Sequence, residues 1–267
     1  MSDLLKYAIE LVAVLLLALG IKGLSKVRSA RGANQLAAVA MALAVVGLLV
    51  NYMGTSGIDG SAWLWILLGT LAGGSLGAVI AQRVPMTSMP ETVALFNGCG
   101  GMSSLLVALA AAFYPAALNA ANSVALVSIV VSVFVGAITF TGSIVAMAKL
   151  QGWLSTPDWM QSRLRHAVNI ALAVAALVGA VEMLRTSGGT TGLWLLVVTS
   201  GLLGIGVTLP IGGADMPVVI SLLNSYSGVA AAAAGFVVSD ERAHPLAEGA
   251  GHGRRPRGDL WPEAFEF

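Results

Sequence analysis

The chain has 267 residues, of which 57% are hydrophobic and 10% charged, with a net charge of +1. A soluble domain carries about 25% charged residues, so this composition excludes an ordinary water-soluble enzyme and a disordered tail. It also excludes a nucleic-acid binder, which needs a basic surface. The lone cysteine, Cys99, rules out an intrachain disulfide framework and any multi-cysteine metal site.

What remains is an integral membrane protein. About 20 apolar residues at a rise of about 1.5 Å cross the hydrocarbon layer. Eight such runs follow one another at 4–24, 33–53, 61–82, 91–113, 122–148, 166–185, 192–209 and 216–238. Each is about twice the length of a barrel strand and apolar on every face. The expected fold class is therefore all-α, a polytopic bundle of eight transmembrane helices. The first run carries Glu10 and lacks both a basic leader and a small-residue cleavage site, so it reads as an uncleaved helix rather than a signal peptide. Lys22, Lys26, Arg28 and Arg31 follow it, Arg83 follows the third run, and Lys149, Arg163 and Arg165 follow the fifth. The opposite side holds only Lys6 and Arg185 before the C-terminal tail. Positive residues stay cytoplasmic, which puts the N-terminus outside and the odd-numbered links inside.

Small residues mark where helices can approach closely in lipid. Gly73 and Gly77 form a GxxxG step in the third run, Gly201, Gly204 and Gly206 stud the seventh, and Ala230 to Ala234 line the eighth. Trp63, Trp65, Trp153, Trp159 and Trp194 stand near run ends, as interfacial anchors do.

An ionisable group deep in the bilayer costs about 2.5–3.5 kcal/mol on insertion scales, so the polar residues carry the information. Glu91 opens the fourth run after Met89-Pro90, and Asp215 precedes the eighth, followed by Met216-Pro217. Both lie in odd-numbered links. Carboxylates are favoured at helix N-termini by free N–H groups and the macrodipole, so capping is one reading of them. Deeper in, Asn97 lies about 9 Å past Glu91 and Asn224 about 13 Å past Asp215. The fifth run adds Thr139, Thr141 and Ser143. Two readings stand. These groups line a hydrated path leading in from a cytoplasmic carboxylate pair, or they make interhelical hydrogen bonds contributing about 0.6 kcal/mol each. An amide cannot take up and release a proton, so an asparagine on such a path orients water. The Gly98-Cys99-Gly100-Gly101 cluster fails the dinucleotide pattern, because Ser103 holds the last glycine position and no strand precedes it. His166, His244 and His252 lack metal-ligand spacing. No cofactor and no metal is expected on this chain.

The segment Thr208-Leu209-Pro210-Ile211-Gly212-Gly213-Ala214-Asp215-Met216-Pro217-Val218-Val219, continued by Leu223-Asn224-Ser225-Tyr226-Ser227-Gly228 and Ala230 to Phe236, resembles the beta subunit of proton-translocating NAD(P) transhydrogenases. Met89-Pro90-Glu91-Thr92-Val93-Ala94-Leu95-Phe96-Asn97 and Thr139-Phe140-Thr141-Gly142-Ser143 are similar to it too, and the likeness runs to about Asp240. The resemblance implies a membrane domain that couples proton movement to hydride transfer between NAD(H) and NADP(H). The two cofactors are bound by soluble domains of the alpha and beta chains, and the complex is a dimer of protomers in the cell inner (plasma) membrane. It implies a proton path through Asn97, Ser143 and Asn224, and contact of Glu91 and Asp215 with the NADP(H)-binding domain. The position of Asn97 is a histidine in many members, and in some the histidine stands on an alpha-chain helix. The alternatives are a secondary transporter, which predicts two similar halves where none stands out, and a structural membrane subunit.

On this reading residues 1–240 are the transmembrane proton-channel domain, and the NADP(H)-binding domain is absent. Residues 241–267 hold nine charges, three prolines and four glycines, which no membrane span tolerates. They read as an exposed tail, or as a frameshifted or artificial terminus in place of the ninth helix that the family pattern implies.

Overall fold

The computed structural model describes residues 3–53, 60–113, 123–186 and 189–239. Among these the chain contains no strand, and eight helices are long and apolar enough to cross a membrane. They are α1 (Asp3–Leu24), α2 (Val27–Met53), α3 (Gly60–Arg83), α4 (Met89–Ala112), α5 (Ser123–Leu150), α6 (Leu164–Arg185), α7 (Thr190–Thr208) and α8 (Met216–Ser239). Each apolar run falls on one helix. The largest difference is α2, which begins at Val27, well before the run at 33. The Ser25 and Ser29 hydroxyls donate to the Lys22 and Gly23 carbonyls at 2.8 and 2.7 Å, closing a tight turn from which α2 starts at once. Exposed Arg28 and Arg31 extend it beyond the apolar stretch. Hydropathy marks the part of a helix that suits lipid, and the helix outlasts that part. The tail at 241–267 lies outside the described residues.

Two compact units divide between Ala72 and Gly73, inside α3. In the first, α1 and α2 pack as a hairpin through small residues, with Ala13, Ala33 and Ala40 buried. A Cβ on Gly23 would stand 2.7 Å from the Ala33 Cβ. α3 has no buried residue. The spacing of Gly73 and Gly77 predicts a packing face, yet a Cβ at either position would meet nothing within 4 Å. Among the described residues that step packs against no helix of this chain.

In the second unit α5 is the central helix, packed on α4, α7 and α8, while α6 pairs chiefly with α7. Glycines set these crossings. A Cβ on Gly136 would lie 2.9 Å from the Gly101 carbonyl oxygen, and one on Gly204 would lie 2.6 Å from that of Ile138. One on Gly179 would lie 2.8 Å from that of Gly192. The core between them is Leu105, Ile129, Val133, Met183, Leu193 and Leu196. Ser132, fully buried on α5, donates to the Ser104 carbonyl at 3.0 Å and the Ala230 carbonyl at 3.3 Å, joining α4, α5 and α8. At one end of the bundle Phe113 packs on Trp194, with ring centroids 5.8 Å apart. The links joining α5 to α6 and α7 to α8 meet at the other end, which is also where α4 begins.

Candidate functional site

That second end is built twice on one local plan. Pro85 and Gly212 are both extended, with ψ of 154° and 152°. Each leads into a single 3₁₀ turn, Met86–Ser88 or Gly213–Asp215. Each turn feeds directly into a helix opening with Met-Pro, where proline suits the first turn because its missing N–H would have no partner there. Glu91 is half-buried in the first turn of α4, and its Oε2 is buried with no hydrogen-bond partner. A hydrogen-bonded cap does not account for that oxygen. The Thr92 hydroxyl donates to the Ser88 carbonyl at 2.9 Å instead. Asp215 is exposed at the matching place before α8.

One turn inward the sites diverge from a continuous polar path. Ala94, Ala146, Met216 and Ile220 form a buried apolar layer, flanked by Met147, Leu150, Ile211 and Val219. Ala94, Ala146 and Met216 are wholly inaccessible. Ala94 lies three residues before Asn97, and Ala146 three after Ser143. The layer therefore stands between the carboxylates and the deeper polar groups.

Behind it, Asn97 and Ser143 meet. The Asn97 Nδ2 donates to the Ser143 Oγ at 2.8 Å, with Asn97 buried and Ser143 fully so. The contact is possible because α4 and α5 run antiparallel and close, Gly98 leaving room for the Ser143 Cβ. The Asn97 Oδ1 is buried and has no partner, and one turn further in the Thr139 hydroxyl is in the same condition. An unmet acceptor in such surroundings costs about 1–3 kcal/mol, so this is a place to receive a hydrogen bond.

The other polar candidates lie elsewhere. The Thr141 hydroxyl donates to the Gly201 carbonyl at 2.8 Å, on the α7 side. That is the interhelical-bond reading. Asn224 is exposed on α8 and makes no hydrogen bond with Asn97 or Ser143 among the described residues. Its neighbours Leu223 and Ile220 face the bundle instead.

Two residues that matter escaped the sequence reading. Asn169 on α6 donates to the Gly206 carbonyl at 3.0 Å, and an amide inside an apolar run was the available signal. Lys149 on α5 entered only as a positive charge. Its Nζ donates to the Leu209 and Ile211 carbonyls, each at 2.6 Å, and to the Thr156 Oγ1 at 2.7 Å.

Comparison with known proteins matches residues 6–243 to the NAD(P) transhydrogenase beta subunit family. Two relatives from Rhodospirillum rubrum, each named NAD(P) transhydrogenase subunit beta, are 38% identical over 245 residues. The alignment covers 90% of this chain and 51% of each relative, so the chain spans about half the length of the curated relatives it matches. With eight apolar helices among its described residues and a family match over most of its length, this membrane protein belongs to the NAD(P) transhydrogenase beta subunit family.

Proposed function

We propose that this chain is the transmembrane proton-conducting domain of a proton-translocating NAD(P) transhydrogenase. It sits in the cell inner membrane with its N-terminus outside, and residues 1–240 form the domain. Proton movement through it is coupled to hydride transfer between NAD(H) and NADP(H) on soluble domains, with an alpha subunit as partner and two protomers in the complex. The observation that carries this is the buried Asn97–Ser143 hydrogen bond with its free Oδ1 acceptor. It falls on two positions that the resemblance implies for the path, which supports this reading. Neither side chain titrates near neutral pH, so they order water, and the proton-accepting group comes from outside this chain. The exposed face of α8 bearing Asn224 is where an alpha-subunit helix would bring it. Glu91 and Asp215, at the end of the bundle beyond the apolar layer, are the proposed contacts to the NADP(H)-binding domain.

The test is reconstitution of the complete complex in vesicles. Hydride transfer should acidify one side, and Asn224→Leu should lower pumping and coupled hydride transfer together by about tenfold, the equivalent of one net hydrogen bond. Full pumping in that variant would remove Asn224 from the path. Orientation is checked separately. With exposed Cys99 replaced by alanine, Asp215→Cys should react with a membrane-impermeant thiol reagent in inside-out vesicles only. Reaction in right-side-out vesicles would overturn the topology.

A further inference from the structure

The Lys149 ammonium sits where three segments converge, and among the described residues its partners are a hydroxyl and two carbonyls rather than a carboxylate. α5 ends in a Schellman turn, in which Trp153 N–H donates to the Ala148 carbonyl at 2.9 Å and Gly152 N–H to that of Lys149 at 3.0 Å. Gly152 takes the positive φ, 74°, that this turn requires. The turn fixes the backbone of Lys149 and sends its side chain to the C-terminus of α7. There the Leu209 and Ile211 carbonyls accept from Nζ at 2.6 Å each, at the negative end of the α7 dipole. Thr156, in the α5–α6 link, accepts from the same Nζ at 2.7 Å and donates its own hydroxyl proton to the Leu209 carbonyl at 3.0 Å. The segment so held, 209–216, carries Ile211 and Met216, which belong to the apolar layer over Asn97 and Ser143.

We infer that Lys149 is a positioning residue, the latch that keeps the α7–α8 turn seated and the apolar layer closed over the Asn97–Ser143 pair. The inference rests on the proton-conducting reading and adds to it a gate, with Met216 and Ile211 as its apolar face. Charge-assisted hydrogen bonds are about twice as strong as neutral ones, and one ammonium makes all three. Losing it frees the turn while the helix crossings, set by glycines elsewhere, stay intact.

The experiment uses the complete complex in vesicles and compares wild type, Lys149→Met and Thr156→Val, the last keeping the ammonium should the first fail to assemble. Amide exchange across 209–216 is expected to speed up about tenfold in Lys149→Met and by less in Thr156→Val. Exchange at Ser88, whose N–H is bonded to the Pro85 carbonyl at 3.0 Å, should not change. Passive proton leak without nucleotides should rise in step with exchange at 209–216, which a role in folding alone would not produce. Unchanged exchange at 209–216 in both variants overturns the latch, and faster exchange with no added leak overturns the gate. Wild-type pumping is measured on the same vesicles. Its absence would defeat the proton-conducting reading, while the exchange data still decide the latch.

Discussion

Asn97→Leu is expected to slow coupled proton pumping sharply in the reconstituted complex while leaving the helices assembled. Leucine has nearly the shape of asparagine, and the crossing of α4 on α5 depends on Gly98, Gly101 and Gly136 rather than on this side chain. What disappears is chemical. The Ser143 hydroxyl loses its donor at 2.8 Å, and the free Oδ1 acceptor is gone. A buried polar group left without its partner costs about 1–3 kcal/mol, and borne by the conducting state that cost lowers the rate by roughly five- to 150-fold. Hydride transfer coupled to pumping should fall by the same factor, because neither step completes without the other. Asn97→His retains a donor toward Ser143 and adds a group that titrates between about pH 5 and 8. It should keep pumping and gain a pH dependence over that range. A pH-sensitive dye in the vesicle lumen and a nicotinamide absorbance assay measure both. Wild-type pumping in Asn97→Leu would separate the Asn97–Ser143 pair from the proton path.

The sequence revealed these two residues as polar groups in apolar helices, but not that they touch. Their meeting depends on the antiparallel register of α4 and α5, and that register is set where Gly101 and Gly136 let two backbones approach. Glycines in apolar runs look alike in sequence. Gly73 and Gly77 carry the familiar spacing and meet nothing among the described residues, whereas Gly101 and Gly136 carry no such pattern and hold a crossing. The spans themselves were legible, because lipid selects for apolar length and little else. Which face of each span is buried was not, since a lipid-facing and a helix-facing side chain are equally apolar. The same limit hid the layer over the pair, built from Ala94 and Ala146 in a chain full of alanines. Lys149 shows a different limit. Two of its three acceptors are backbone carbonyls, which every residue has, so no residue pattern announces them.

The glycine contrast predicts opposite signs for one chemical change. Gly136→Ala puts a methyl group 2.9 Å from the Gly101 carbonyl oxygen and 3.1 Å from the Leu105 nitrogen. Both are backbone atoms inside helices, so neither can rotate away, and α4 and α5 must move apart. That displacement reaches the Leu105 and Val133 packing and the Ser132 hydrogen bonds to α4 and α8. Overpacking of this kind costs about 1–3 kcal/mol, and Gly136→Val should cost more. Gly73→Ala adds the same methyl group where nothing lies within 4 Å. There only intrinsic helix preference acts, and it favours alanine over glycine by up to about 1 kcal/mol. Thermal denaturation of the detergent-solubilised chain should therefore move down for Gly136→Ala, and stay or move up for Gly73→Ala. An unchanged midpoint for Gly136→Ala would show that α4 and α5 do not cross at this glycine. A lowered midpoint for Gly73→Ala would show that the α3 step is a packing face in the solubilised chain after all.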